Sequence, residues 1–251
     1  MDPAAATRIQ VCGRLVVVWG GARVEDRLPS RQGRLLFAYL VTHRHGSTSR
    51  SELVEAVWPG GSPTAVDSAL NALLSKLRGV LGPDGVAGKD EPRIVLPPNA
   101  FVDLDAAGER LHTAESAVAM DDPHRAWAPA RAALHTASRE FLPGYEAPWI
   151  DDERRKLEDI RIRALDCVAA AGLGLGGPEL AATERAGRAL IEVNPFHESG
   201  HLHLMRALVA KGNVAEALFV YDRLRTMLQE ELGIAPSGRA QELHAELLAT
   251  R

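Results

Sequence analysis

The chain has 251 residues, of which 46% are hydrophobic and 25% charged, and its net charge is −4. This composition suffices for one large or two ordinary buried cores. No run approaches about 18 uncharged apolar residues, and the N-terminus lacks the pattern of a secretion signal, so we expect a cytoplasmic protein with no membrane contact. Cys12 and Cys167 are far apart in the sequence, which predicts two free thiols.

The charge is divided along the chain. Residues 1–103 hold 12 basic and 10 acidic side chains, a balance of +2, whereas residues 104–251 hold 17 and 23, a balance of −6. With so small an excess, the N-terminal half needs a local cluster of basic groups if it is to contact the phosphates of a nucleic acid.

The N-terminal half begins with strand patterns. Apolar residues alternate in part from Ile9 to Trp19, Gly20-Gly21 is a turn signal, and residues 24–28 have the pattern of a return strand. Helical spacing then predicts a helix over residues 31–42, and Ser49 followed by Glu52 predicts a capped second helix.

The third helix has the clearest boundaries. Ser62 is a candidate N-cap with Pro63 in the first turn, and Gly82-Pro83 ends the helix. An apolar stripe suited to a core is formed by Val66, Ala69, Leu70, Leu73, Leu74, Leu77, Val80 and Leu81. The opposite face is polar and basic, as a helix that reads a DNA groove requires.

Two short runs, residues 93–96 and 101–104, flank Pro97-Pro98-Asn99, and we interpret them as a hairpin. The candidate DNA contacts are Ser68, Asn71, Ser75, Lys76 and Arg78 of the third helix, Arg50 at the start of the second helix, and Lys89 and Arg93 around the hairpin. The same side chains also suit an ordinary solvated helix face and surface loop, and the bases that they contact are not assigned. Because Asn71 and Arg78 lie off the apolar stripe, we expect their replacement to remove DNA binding without unfolding the protein.

These residues resemble a winged helix of the response-regulator DNA-binding type. Ser75-Lys76-Leu77-Arg78 with Leu81-Gly82 is similar to the end of the recognition helix in the Streptomyces antibiotic regulatory protein (SARP) family, and Pro97-Pro98 fits that family's wing. The resemblance implies an N-terminal sheet, three helices and a C-terminal wing.

From residue 104 onward only helix patterns follow. We predict helices over residues 109–120, 123–141, 151–171, 178–193, 197–211, 214–232 and 237–248. Two weakly self-similar stretches, beginning at Leu180 and Val214, are spaced by about 35 residues, as in tetratricopeptide-type helix pairs. The predicted fold class is therefore mainly α with small β elements: a winged-helix domain over residues 1–103 and an all-α tetratricopeptide-like domain over residues 104–251.

The second half resembles the bacterial transcriptional activator domain of the same family. The segments that match are Phe141-Leu142-Pro143-Gly144, residues 149–154, residues 212–218 with Tyr221, and residues 230–236. The resemblance implies a small, stand-alone transcription activator that binds repeats in double-stranded promoter DNA and contacts RNA polymerase or a second protomer.

Two positions depart from the family pattern. Where members often carry arginine in the recognition helix, this chain has Asp67 and Gly79. The alternative function is therefore a helical-repeat adaptor or small-ligand receptor that has lost DNA binding.

No pattern predicts an enzyme, a cofactor or a metal. Gly172, Gly174 and Gly177 follow a helix where a dinucleotide site needs a strand, and His197, His201 and His203 have no partner at a telling spacing. Four aromatic residues suit either a ligand groove or ordinary packing: Trp149, Phe196, Phe219 and Tyr221. A small-molecule effector is compatible with the sequence, but no motif indicates one.

Overall fold

The computed structural model describes residues 7–61 and 63–249. The chain forms two compact units: Met1–Ala106 with Arg139–Leu157, and Ala107–Ser138 with Glu158–Arg251. The boundary expected after residue 103 lies close to the end of the first segment. The sequence did not predict that residues 139–157 would belong to the first unit.

The first unit opens with a small sheet. Strands β1 (Arg8–Gln10), β2 (Val16–Trp19), β3 (Ala22–Arg23) and β6 (Phe101–Val102) lie in the order β3-β2-β1-β6. β1 pairs antiparallel with β2 and parallel with β6. One face of this sheet, which includes Ile9, Val17 and Val102, is buried.

The return strand expected over residues 24–28 is wrong. β3 ends at Arg23, and Glu25–Arg27 forms a 3₁₀ helix. The buried carboxylate of Glu25 accepts a hydrogen bond from the Val17 backbone N–H at 3.2 Å and pairs with Arg23. A side chain thus takes the place of a strand backbone at this position.

Three helices follow: α1 (Ser30–Thr42), α2 (Arg50–Val57) and α3 (Val66–Leu81). The capping box predicted at Ser49 is confirmed, because its hydroxyl accepts from the Glu52 N–H while the Glu52 carboxylate accepts from the Ser49 N–H. Leu36 and Phe37 of α1, Leu53 of α2 and Leu77 of α3 are fully buried. These side chains form the core of the three-helix arrangement.

The predicted start of α3 needs correction. Ser62 lies outside the described residues, and the helix begins at Val66 with Ala65 at the N-cap position and no side-chain cap. Pro63 therefore precedes the helix and is not in its first turn. Pro63, Thr64 and Ala65 are all exposed, and Val66 is the first half-buried residue of this segment.

The predicted end of α3 is confirmed. Gly82 adopts a positive φ of 90° and Pro83 opens a 3₁₀ turn. The indole N–H of Trp19 donates to the carbonyl of Leu81 at 2.8 Å, which satisfies a carbonyl at the helix end.

The hairpin predicted over residues 93–104 is also wrong. β5 (Arg93–Ile94) pairs antiparallel with β4 (Val86–Ala87), and this hairpin is the wing, whereas β6 pairs with β1 in the other sheet. The wing turns at Gly88, where a Cβ would lie 2.2 Å from the carbonyl oxygen of Glu91. Pro97 and Pro98 connect the two sheets, and as prolines they have no N–H to donate to a ladder.

Residues 139–157 pack within the first unit. Cys12 forms a bridge with Phe141, and the N–H of Leu142 donates to the carbonyl of Val11 at 3.0 Å. The guanidinium of Arg31 lies over the ring of Tyr145, 4.4 Å from its centroid. The N-terminal strand region and this later segment therefore form one structure.

The second unit is built from helices. The bounds are α4 (Asp103–Ala119), α5 (Pro123–Ala137), α6 (Pro148–Leu175), α7 (Leu180–Val193), α8 (Glu198–Ala210), α9 (Val214–Leu232) and α10 (Gly238–Ala249), with the first residues of α4 and α6 belonging to the first unit. All seven predicted helices are present, and α9 has the predicted bounds. Within residues 7–61 and 63–249 no helix is long and apolar enough to cross a bilayer.

Helices α7 and α8 approach closely through two glycines. A Cβ on Gly187 would lie 3.0 Å from the carbonyl oxygen of Gly200, and one on Gly200 would lie 2.8 Å from the Cβ of Leu190. Only residues without side chains permit this separation, so the pair behaves as one unit of the helical array.

We expect Leu77→Ala to lower the free energy of unfolding by about 2–5 kcal/mol, because it opens a cavity at a fully buried position. Ser75→Ala on the exposed face of the same helix is the control and should change stability by less than about 0.5 kcal/mol. Urea unfolding of both variants tests this, and equal stability of Leu77→Ala and the parent would refute the burial of the stripe.

Candidate nucleic-acid interface

The exposed face of α3 carries four of the predicted contacts. Ser68, Asn71, Ser75 and Lys76 are all exposed, whereas Leu70, Leu74 and Leu77 on the opposite side are buried. The helix therefore separates its apolar stripe from its polar face as the sequence predicts. An exposed helix face with short polar side chains fits the width of the DNA major groove.

Arg50 joins this face to the wing. It is the first residue of α2, and one of its Nη atoms donates to Oδ1 of Asn71 at 2.8 Å while the other donates to the carbonyl of Lys89 at 3.2 Å. Its guanidinium thus contacts α3 and the tip of the wing at once. The sequence suggested only a phosphate contact for Arg50, because nothing in the spacing of residues 50, 71 and 89 reveals that they meet.

Arg78 differs from the other predicted contacts of α3 in its burial and in its hydrogen bonds to the wing. It is half-buried, and it donates from Nε to the carbonyl of Val86 at 3.2 Å and from Nη2 to the carbonyl of Gly88 at 2.9 Å. Both acceptors lie in or beside β4. This side chain attaches the β4 side of the wing to α3, so the expectation that its loss leaves folding intact does not fit its contacts.

Lys89 and Arg93 lie on the wing, and both side chains are exposed. Asp90 and Glu91 are exposed beside them. The wing therefore carries no excess of positive charge, and any attraction to phosphates comes from Lys89 and Arg93 individually.

The two residues that depart from the family pattern, Asp67 and Gly79, both lie on the exposed surface of α3. Asp67 is exposed in the first turn of α3, where a carboxylate is favoured by the helix dipole. Gly79 is exposed, and a Cβ there would meet nothing within 4 Å. Neither position is required for packing.

Ser199 and His203 of α8 share a carboxylate in the second unit. The Ser199 hydroxyl donates to Oδ1 of Asp166 at 2.8 Å, and Nε2 of His203 lies 3.1 Å from the same oxygen. Burial raises the pKa of Asp166, but these contacts outweigh it and hold the pKa below its usual value. The cluster lines a groove of about 800 Å³ between α4, α6, α8 and α10.

The histidine and glycine motifs of the second unit serve packing and hydrogen bonding within the fold. His201 is buried with Nε2 2.9 Å from the carbonyl oxygen of Pro195, and among the described residues no group of three metal-binding side chains occurs. Gly172 lies near the end of α6, where a Cβ would be 2.4 Å from the Thr183 hydroxyl. This glycine permits helix packing.

The four aromatic residues differ in burial. Trp149 is buried in the first unit, and Tyr221 is buried in the second, stacked on His244 with centroids 3.9 Å apart. Phe196 and Phe219 are exposed.

Both predicted free cysteines are confirmed as buried thiols, and burial raises the pKa of Cys167 to about 12.

A family model described as the bacterial transcriptional activator domain matches residues 102–248. The regulatory protein AfsR of Streptomyces griseus is 30% identical over 246 residues, which cover 98% of this chain and 25% of AfsR. The transcriptional regulatory protein EmbR of Mycobacterium tuberculosis is 26% identical over 259 residues, covering 94% of this chain and 62% of EmbR.

A solved structure, Mycobacterium tuberculosis EmbR in complex with a low affinity phosphopeptide, has a TM-score of 0.79 and 21% identity, and the match covers 98% of this chain and 65% of that chain. This likeness supports the same fold. The chain spans about a quarter of AfsR and under two thirds of EmbR.

We expect Arg78→Ala to loosen the wing. The variant loses two hydrogen bonds to backbone carbonyls, which should lower the free energy of unfolding by about 1–3 kcal/mol. Amide hydrogen exchange should accelerate at Val95, whose N–H donates to the carbonyl of Gly85 beside the wing.

Arg93→Ala is the matched control for Arg78→Ala, because Arg93 is an exposed arginine of the same wing. It should change stability by less than about 0.5 kcal/mol. If both variants exchange at Val95 as the parent does, Arg78 does not hold the wing.

Proposed function

The chain belongs to the SARP family of transcriptional regulators and contains its bacterial transcriptional activator domain, and on this premise we propose that it is a sequence-specific, DNA-binding transcription activator. The DNA-binding role is assigned to residues 1–103, as the sequence predicts, with residues 139–157 as structural support. The activating role is assigned to the remainder of residues 104–251.

One observation carries the DNA-binding proposal. The 16-residue helix α3 exposes a continuous polar face, and Arg50 and the wing lie directly beside that face. A helix about 10–12 Å in diameter fits the major groove, so α3 enters the groove while the wing meets the adjacent backbone. Ser68, Asn71 and Ser75 then face base edges.

The basic groups position the protein on the duplex. Lys76 and Arg93 are exposed cations with no acidic partner within 4.0 Å among the described residues, which leaves their charges available for phosphates. With so few phosphate contacts the affinity of one protomer is modest, and two protomers on repeated sites strengthen binding by acting together.

The helical unit supplies the contact with RNA polymerase or a second protomer. Large apolar side chains are exposed on its surface: Phe196, Phe219, Leu232, Ile234 and Leu248. Exposed aromatic and aliphatic groups of this kind are typical of protein-binding surfaces.

Capture of genomic DNA tests the proposal. We expect the purified protein to enrich a few promoter fragments that share a repeat at moderate salt, and Asn71→Ala to lose this enrichment while its unfolding curve is unchanged. Asn99→Ala is the matched control, because Asn99 is also exposed but lies in the connection between β5 and β6.

The outcome separates the activator from the alternative. If the parent protein enriches no fragment and its weak DNA binding shows no steep salt dependence, the DNA-binding role is rejected. The helical-repeat adaptor or small-ligand receptor then becomes the better function.

Gly79→Arg should strengthen DNA binding. The position is exposed on α3 and open to a side chain, and one added phosphate contact should make the slope of log K against log salt steeper by about 1. Gly79→Gln is the control for the gain in helix propensity, which should stabilise both variants by roughly 0.5 kcal/mol. An identical salt slope in the two variants would place residue 79 away from the DNA.

A further inference from the structure

Helices α7, α8 and α9 of the second unit border a cavity of about 560 Å³. The buried part of its lining includes His201 and Leu204 of α8. Three half-buried apolar side chains also line it: Ile191 from α7, and Val220 and Met227 from α9. Ligand pockets typically have volumes of about 300–1,000 Å³ and mainly apolar linings. The cavity therefore has the size and the lining to hold a small organic molecule.

The buried part of the cavity is uncharged. Nε2 of His201 lies 2.9 Å from the carbonyl oxygen of Pro195. Since a carbonyl oxygen only accepts, Nε2 carries a proton and donates to it. Burial lowers the pKa of His201 below its usual value, so the imidazole is neutral at pH 7. An apolar group that enters this part of the cavity therefore meets no buried charge.

The rim of the cavity carries three charged side chains, Arg188, Glu192 and Arg223, which are all exposed. Arg188 is already paired, since it donates to the carboxylates of Glu184 and Glu216 at 3.0 and 2.7 Å. Arg188 and its two partners therefore offer no surplus of positive charge to a ligand.

Glu192 and Arg223 differ in the charges that act on them and on which they act. The pKa of Arg161 is raised by its hydrogen bond to Glu158 and, in addition, by the charge of Glu192. Arg223 has no acidic partner within 4.0 Å among the described residues, and its charge adds to the effect of burial in lowering the pKa of His201. The field of Arg223 thus reaches the buried part of the cavity, and its guanidinium stays available to a ligand.

We propose that this cavity binds a small amphipathic organic anion, whose apolar body lies against Leu204, Val220 and Met227 and whose acidic group pairs with Arg223. A carboxylate or sulfonate forms charge-assisted hydrogen bonds with a guanidinium, and a neutral molecule of the same shape lacks them. The cavity therefore selects its ligand by charge as well as by apolar surface. This site does not depend on the proposed DNA-binding function.

Titration of the full chain with two fluorescent dyes tests the proposal. Anilinonaphthalene sulfonate has an aromatic body and one anionic group, whereas phenylnaphthylamine has the same three rings without the sulfonate. The fluorescence of both dyes rises in apolar surroundings. We expect the sulfonate dye to saturate a single site with roughly tenfold higher affinity than the neutral dye, because only the sulfonate pairs with Arg223.

Three variants test the two parts of the site. Val220→Trp replaces a small lining side chain by a large one and should abolish binding of both dyes. Arg223→Met removes the charge and should weaken the sulfonate dye about tenfold without affecting the neutral dye, so that the preference disappears. Arg225→Met is the matched control, because Arg225 is an exposed arginine of the same helix that pairs with Asp222. It should change neither affinity.

A measurement on the unaltered protein locates the dye without relying on a variant. The imidazole resonances of His201 should shift when the sulfonate dye is added. Those of His244, which is stacked on Tyr221 and does not line the cavity, should remain in place. Urea unfolding shows whether Val220→Trp is folded, and if it is not, the His201 resonances decide the location of the dye.

Several results would overturn the proposal. If the sulfonate dye does not saturate, or leaves the His201 resonances in place, the cavity is not a site for an organic anion. Equal affinities of the two dyes in the parent, or an unchanged affinity of the sulfonate dye in Arg223→Met, would show that charge is not recognised. If Phe219→Ala removes the fluorescence and a folded Val220→Trp retains it, the dye lies on the exposed surface of α9.

Discussion

The hydrogen bond from the Trp149 indole to the Ala56 carbonyl supports much of the first unit. It is 3.1 Å long and satisfies a carbonyl near the C-terminal end of α2, where intrahelical partners are missing. α2 has eight residues and is too short to be stable alone. The capping box holds its first turn and Trp149 holds its last. The ring of Trp149 also packs edge-on against Tyr39 and Phe141, with centroids 5.2 and 5.9 Å away.

Fixing α2 in this way has consequences for the interface. Arg50 opens α2, so its reach to Asn71 and Lys89 depends on the placement of that helix. Arg78 attaches the other side of the wing to α3. The two arginines have different roles. Arg50 contacts the amide of Asn71, a candidate base-reading side chain, whereas Arg78 holds the wing. A segment remote in sequence therefore sets the geometry of the candidate DNA surface without being part of it.

Most helices were predictable because their signals are local. The stripe of α3, the capping box of α2 and the bounds of α9 depend on side-chain spacing and end signals within one segment. Strand partners depend on distant residues. The run at residues 93–96 therefore resembled half of a hairpin with residues 101–104, although β5 pairs with β4 and β6 pairs with β1. Likewise, the pairing of Glu25 with Arg23 and its bond from Val17 ended a strand that apolar spacing alone favoured.

The sequence by itself determined the helices, the polar face of α3 and membership of the family, because periodicity, caps and short motifs are properties of neighbouring residues. The tertiary structure decided which side chains on that face are free. Arg78 and Asn71 are both off the apolar stripe, yet one is held by the carbonyls of Val86 and Gly88 and the other accepts from Arg50. It also decided that residues 139–157 belong to the first unit. Such contacts join residues far apart in the chain, and only packing brings their donors and acceptors within hydrogen-bond distance.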